Sequence, residues 1–150
     1  SARQRIVLAT MGAQDSSALL RGLGTVESRL LGDAQCTDDL YLWSADTPLP
    51  VSVEDAFSSS ASRVIGTGWW DESTGRDGYE IELEGTRRVL PLTNGYDAPS
   101  RIFSDREVSM SLGNKGASLS DGAFGFTVYE MTLTYGGASE TATVLNLGGC

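Results

Sequence analysis

Apolar residues recur at three- and four-residue steps from Arg3 to Gln35, the longest stretch of the chain with a helical period. Polar residues such as Arg21 and Glu27 fall mostly on the other side, so the pattern predicts an amphipathic helix laid on a core. Gly22 and Gly24 weaken this helix by about 1 kcal/mol each relative to alanine, so it needs tertiary packing. The apolar positions are Ile6, Val7, Leu8, Met11, Ala18, Leu19, Leu23, Val26, Leu30 and Leu31.

The pattern changes after residue 35. Residues 36–62 contain Pro48, Pro50 and a run of serines, and they predict a long connection with one short strand near 40–43 and a helical turn near 54–57. From residue 63 onward apolar and polar residues alternate, which is typical of strands. The strongest strand signal runs from Thr127 to Tyr135, where Gly136 and Gly137 predict a hairpin with residues 141–147.

These elements predict an α+β fold in one domain over residues 1–150. A long N-terminal amphipathic helix (3–35) is followed by a loop region (36–62) and by an antiparallel β-meander (63–150) of four to six strands. One face of such a meander is apolar and must be covered, and the helix is expected to supply the cover.

The negative net charge limits the classes of partner that the protein is expected to bind. The 150 residues include 20 acidic and 11 basic side chains, for a net charge of -9. An acidic body repels phosphate backbones, so nucleic-acid binding is disfavoured, and the chain has no basic tract for anionic lipid. No apolar run reaches the roughly 18 residues of a membrane span. The chain does not open with Met, so a membrane anchor preceding residue 1 stays open.

The chain contains no histidine. This excludes Ser-His-Asp and Cys-His catalysis and most zinc and copper sites, and no cofactor motif is present. We therefore expect a protein that is not an enzyme and has no cofactor. The enzymatic alternative is a small hydrolase that uses Asp71, Glu72 or Asp77.

Two stretches are candidate binding sites. Asp71, Ser73 and Asp77 lie in a Gly-rich acidic turn that has the oxygen ligands of a weak calcium site, although the spacing does not match an EF-hand. Trp69 and Trp70 precede this turn. Adjacent strand residues face opposite ways, so one ring is expected in the core and the other on the surface, where it can stack on a sugar or a partner protein.

The two cysteines, Cys36 and Cys150, are expected to form a disulfide. Such a bond closes a loop of about 115 residues and stabilises by about 4–5 kcal/mol in the chain-entropy model. It implies an oxidising compartment, namely the periplasm, the cell surface or the extracellular space. The alternative is two unrelated thiols in a reducing cytosol.

The helix Arg3–Gln35, the hairpin Tyr129–Leu147 and the cysteine pair together resemble the globular head of type IV pilins and type II secretion pseudopilins. The hallmark of that class, an apolar first helix half with a glutamate near its start, is absent, so the chain resembles a head without its N-terminal half. Cys36 and Cys150 also bracket a larger segment than the cysteine pair of common major pilins.

The resemblance implies a structural subunit of a pilus or secretion filament. Its partners would be other pilin subunits packed through their helices, with the sheet and loops exposed for contacts, adhesion or a surface or glycan ligand. It would be membrane-anchored in its full-length form and located at the cell surface or in an extracellular filament. The alternative function is a secreted or virion-associated β-rich binding or structural module that uses Trp69 and Trp70.

Overall fold

The structure is a computed structural model that describes residues 17–27, 37–44, 46–58, 62–71, 73 and 76–149. Within these residues the chain forms two short helices and eight strands. The helices are α1 (Ser17–Arg21) and α2 (Val53–Ser58). The strands are β1 (Thr37–Trp43), β2 (Ser62–Asp71), β3 (Arg76–Leu83), β4 (Thr86–Pro91), β5 (Ser100–Ser104), β6 (Val108–Ser120), β7 (Phe124–Tyr135) and β8 (Ala138–Gly149).

The eight strands form one antiparallel sheet in the order β4-β3-β2-β1-β8-β7-β6-β5. Each strand pairs with a strand that is adjacent to it in the sequence. In addition, β1 pairs with β8 in the middle of the sheet, which joins the first strand to the last. The two edge strands, β4 and β5, approach each other, and Leu92 bridges to Phe103 just past the end of β4. The sheet therefore curls until it almost closes on itself, which encloses an interior lined by every second residue.

The interior of the curled sheet is apolar along most of its length. Alternation along each strand sends one set of side chains inward, as expected for a sheet with one buried face. The strands contribute these buried residues: Leu40, Ile65, Tyr79, Ile81, Leu83, Leu90, Phe103, Val108, Met110, Leu112, Met131, Leu133 and Val144.

A second, smaller core lies on the outer face of β1, β8 and β7. There α2 covers buried strand residues with Val53 and Ala56. Ser52 caps this helix, because its Oγ accepts the Asp55 N–H at 3.0 Å while Asp55 Oδ2 accepts the Val51 N–H at 3.2 Å. The strand residues under α2 are Trp43, Phe126, Val128, Leu145 and Leu147.

The prediction of one long helix over 3–35 is wrong, because among the described residues of this range only Ser17–Arg21 is helical. Helix α1 ends at Arg21, and the chain then runs extended along β3. Leu23 bridges to Leu83, and the Gly24 N–H donates to the Glu82 carbonyl at 2.8 Å. An added Cβ at Gly24 would lie 2.9 Å from Glu82 Cδ, so this close approach favours glycine.

Since no long helix covers a sheet face among the described residues, the predicted α+β fold is also wrong. The described chain is almost entirely antiparallel β, and its sheet is covered mainly by its own curvature. The hairpin of β7 and β8, the short strand near 40–43 and the helical turn near 54–57 are confirmed. In the part of the chain that the structure describes, no helix has the length and apolar character needed to span a membrane.

Candidate ligand-binding site

The two ends of the sheet interior differ in polarity. At one end Leu19, Leu20 and Leu23 insert as an apolar plug. The opposite end, which we call the mouth, carries six polar side chains from five strands. The mouth residues are Asp38, Asp77, Tyr79, Arg101, Tyr129 and Asn146.

The deepest part of the mouth is a hydrogen-bonded group of three side chains. The Tyr79 hydroxyl donates to Asp38 Oδ1 at 3.2 Å. Asn146 Nδ2 donates to the Tyr79 hydroxyl at 2.6 Å and also to Asp38 Oδ1. Burial raises the pKa of the Tyr79 phenol well above its ordinary value, and the nearby negative charge of Asp38 raises it further. These groups satisfy each other, so they form the floor of the mouth.

Gly68 makes room for this floor. It lies opposite Tyr79 on β2, and an added Cβ would lie 2.6 Å from Asp38 Oδ2. The missing side chain at residue 68 lets the Asp38 carboxylate lie against the backbone of β2. The floor therefore depends on a glycine in mid-strand, where glycine commonly marks a close approach.

Arg101 is the cation of the mouth. Its Nη2 donates to the Tyr129 hydroxyl at 3.1 Å. Its guanidinium carbon lies 5.4 Å from the ring centroid of Tyr96 and 5.6 Å from the centroids of Phe103 and Tyr129. Burial alone would lower the pKa of Arg101, but the surrounding tyrosines and Asp77 raise it, so the side chain stays charged.

Arg101 has no carboxylate within 4.0 Å among the described residues. The acid that influences it is Asp77, which acts at longer range. The pKa of Asp77 is raised because burial disfavours its charged form; Arg101 opposes this and Asp38 adds to it. Asp77 Oδ1 is buried without a hydrogen-bond partner in the described chain.

A cavity of about 210 Å³ opens beside Arg101. Its walls come from β5, β6, β7 and the loop that precedes β5. The lining residues include Tyr96, Asp97, Arg101, Leu112, Asn114 and Tyr129. Tyr96 is 66% exposed, so its ring faces solvent at the cavity rim.

The loop that carries Tyr96 and Asp97 is fixed to β5. The Asn94 side chain forms two hydrogen bonds with the backbone of β5. Its Nδ2 donates to the Ser100 carbonyl and its Oδ1 accepts the Ile102 N–H, both at 2.8 Å. The Thr93 N–H donates to the Ile102 carbonyl at 2.8 Å. These bonds hold one rim of the cavity in place before any ligand arrives.

The tryptophans predicted to bind lie at a different place. Trp69 is half-buried and packs over Gly78, where an added Cβ would lie 2.8 Å from its Cζ2. Its indole Nε1 is buried without a hydrogen-bond partner in the described chain. The side chain of Trp70 lies outside the described residues. The exposed ring beside a cavity is that of Tyr96.

The structure describes only some of the remaining predicted site residues, and it places those at different locations. Asp77 lies in the mouth, and Ser73 is exposed. The side chains of Asp71 and Glu72 lie outside the described residues, as do Cys36 and Cys150. The described residues contain no group of three His, Cys, Asp or Glu side chains placed to hold a metal ion. The calcium, hydrolase and disulfide predictions stay predictions.

Sequence reasoning missed the residues that line the cavity. Arg101 sits in a short strand with no local motif, and Tyr129 lies in a predicted strand whose alternation gives no sign of a binding role. The one local signal was Tyr96, an aromatic residue inside the turn-forming run Asn94-Gly95-Tyr96-Asp97.

Comparisons with known proteins found no relative of this chain. No family model matches the chain, and neither the curated proteins nor the solved structures contain a match. The pilin resemblance and the filament function that it implies stay predictions.

Proposed function

We propose that the protein is a binding module that holds one small anionic ligand in the mouth of its curled sheet. Eight-stranded closed sheets have an interior just wide enough to be filled by side chains or to hold one small ligand. Here apolar side chains fill the middle, and the polar end carries the cavity. This proposal keeps the β-rich binding module as the function class and moves its site from Trp69 and Trp70 to Arg101.

The observation that carries the proposal is the state of Arg101. A guanidinium has five N–H donors in a planar fork that matches a carboxylate or phosphate. In the described structure Arg101 donates to one neutral hydroxyl, that of Tyr129, and has no carboxylate within ion-pair distance. Half-buried charges are normally paired, so an anion in the adjacent cavity is the missing partner.

The mouth favours binding over catalysis because the three side chains of its floor are occupied with each other. Asp38 accepts hydrogen bonds from Tyr79 and Asn146, and the chain offers no histidine to act as a base. The cation, the aromatic walls and a fixed rim are the features of a site that orients a ligand. The cysteine pair supports a secreted or cell-surface location for this module.

The test is a titration of the ¹⁵N-labelled protein with acetate at constant ionic strength, followed by NMR. We expect saturable shifts at Tyr96–Arg101, Leu112–Asn114 and Tyr129. Arg101→Gln should abolish them, whereas Arg106→Gln, which removes an exposed arginine elsewhere on the surface, should leave them unchanged. Shifts that are absent, or that persist in Arg101→Gln, would overturn the proposal.

A further inference from the structure

We infer that the ligand is an acidic monosaccharide unit, a pyranose ring with a carboxylate, whose carboxylate pairs with Arg101 and whose ring stacks on Tyr96. This inference rests on the proposed anion site and adds the chemical class of the ligand. It is based on three features of the cavity that the anion site alone does not require. They are an exposed aromatic ring, polar side chains that can bond ligand hydroxyl groups, and a small volume.

The exposed ring is the first feature. Tyr96 is 66% exposed although large aromatic residues usually bury most of their surface. Its ring centroid lies 5.4 Å from the Arg101 guanidinium carbon. A ligand that fits this pair has an apolar face for the ring and an anionic group at its edge. A pyranose carboxylate has this combination, since the C–H groups form one face and the carboxylate projects from the ring.

The polar side chains are the second feature. Asp97 and Asn114 line the same cavity as Arg101. Asn114 Oδ1 accepts the Gly116 N–H at 2.5 Å, so the donor Nδ2 of this cavity-lining residue is not used in that bond. When ionised, the Asp97 carboxylate accepts hydrogen bonds and donates none. A donor and an acceptor beside an anion site suit hydroxyl groups, which both donate and accept.

Volume and charge are the third feature. A cavity of about 210 Å³ is smaller than the 300–1,000 Å³ typical of drug-sized ligands, so it holds about one ring. The cavity has one arginine, while Asp77 and Asp97 lie nearby and the whole chain carries a net charge of -9. A dianionic phosphate would face this repulsion with one cation, whereas a monoanionic carboxylate is matched by one guanidinium fork.

The experiment is a calorimetric titration with five probes at one ionic strength: glucuronate, acetate, N-acetylglycine, glucose and glucose 6-phosphate. Acetate reports the anion site alone, N-acetylglycine represents a peptide carboxylate, and glucose has the ring without the charge. We expect glucuronate to bind at least about tenfold tighter than acetate or N-acetylglycine, with glucose and glucose 6-phosphate weaker than glucuronate.

Two variants isolate the stacking contribution. Tyr96→Ala should weaken glucuronate about three- to tenfold more than it weakens acetate, because an aromatic face contributes on that scale. Tyr96→Phe keeps the ring and should bind glucuronate like the parent protein.

The outcomes separate the two proposals. If acetate and glucuronate both fail to bind, the anion site itself is wrong. If acetate binds through Arg101 but glucuronate is no tighter, or if Tyr96→Ala weakens neither, the anion site stands and the sugar assignment is overturned. N-acetylglycine or glucose 6-phosphate binding as tightly as glucuronate would overturn it in favour of a peptide carboxylate or a phosphate.

Discussion

Thr37 lies directly opposite Gly149 in the antiparallel register of β1 and β8. In sequence, Thr37 follows Cys36 and Gly149 precedes Cys150. The register thus pairs the first described residue of β1 with the last described residue of β8. Cys36 and Cys150 themselves lie outside the described residues, so the disulfide stays a prediction from the sequence.

The first prediction concerns that bond. Protein produced under oxidising conditions and denatured without reductant should show no titratable thiol. Cys36→Ser, Cys150→Ser and the double variant should each lose about 4–5 kcal/mol of unfolding free energy in denaturant titrations, because the closed loop is long. Reductant should destabilise the parent protein to the same level and leave the double variant unaffected. Two reactive thiols in the secreted protein would contradict the bond and the oxidising compartment together.

The second prediction concerns the floor of the mouth. Gly68→Ala should destabilise the protein by about 1–3 kcal/mol, because its Cβ would overlap the Asp38 carboxylate and the backbone must shift. Gly95→Ala is the matched control, since an added Cβ there meets nothing within 4 Å. Thermal and urea unfolding of both variants measure the difference. Equal stability of the two variants would show that Asp38 is not held against β2.

The third prediction uses the raised pKa of Asp77. For an acid whose pKa is raised on folding, the ionised form disfavours the folded state, so stability is lost as pH rises through the folded-state pKa. Asp77→Asn should therefore be more stable than the parent protein at pH 7, by less than about 1 kcal/mol since the group is partly solvated.

The advantage of Asp77→Asn should shrink as the pH falls through the raised pKa toward the ordinary value of 3.8. Asp46→Asn, which removes a charge at an exposed position, controls for the change in net charge. Urea unfolding at several pH values measures both variants. A loss of stability in Asp77→Asn at pH 7 would mean that Asp77 forms a favourable ion pair instead.

The fourth prediction concerns the seam between β4 and β5. Arg88 bonds Asp105 and Glu107 at 3.3 Å each and lies 5.2 Å from the Tyr135 ring, so it joins β4 to the turn after β5. Arg88→Met should lower Tm and speed amide exchange in β4 and β5. Arg87→Met is the control, because that side chain is 60% exposed and its ion pair among the described residues, with Glu80, lies within the β3–β4 hairpin.

The seam should also respond to acid. Burial would raise the pKa of Asp105, but the Val108 and Glu107 N–H groups and Arg88 hold it below its ordinary value. A lowered pKa gives stability that is present above the ordinary value of 3.8 and is lost as pH falls through the folded-state pKa. The Tm difference between Arg88→Met and the parent protein should therefore narrow at low pH. A difference that stays constant would assign the loss to the Tyr135 contact.

For the N-terminal segment, the sequence predicted which residues are buried but not the secondary structure in which they lie. Leu19, Leu23 and Val26 were placed on a core face, and all three are buried. Their three- and four-residue spacing is helical, but it also fits one helical turn followed by extended chain. Gly24 decides between these, because its N–H bonds the Glu82 carbonyl and a helix would leave that edge of β3 open.

The candidate site could not be predicted in the same way. Arg101 and Tyr129 are 28 positions apart, and Asp38 and Asn146 are 108 apart. Each pair meets because the sheet curls and because β1 inserts between β2 and β8, which local periodicity does not encode. Alternation along single strands predicted which residues face inward, whereas the closure that brings their polar ends together is a property of the whole sheet.

The pairing of β1 with β8 has a consequence for the order of folding. The ribosome makes β1 long before β8, so one edge of β1 has no partner until the hairpin of β7 and β8 is complete. The hydrogen bond between Asp38 and Asn146 joins residues that are 108 positions apart, and closing a loop of that length slows folding. We expect shortened chains that lack β8 to stay unfolded and to expose two adhesive strand edges.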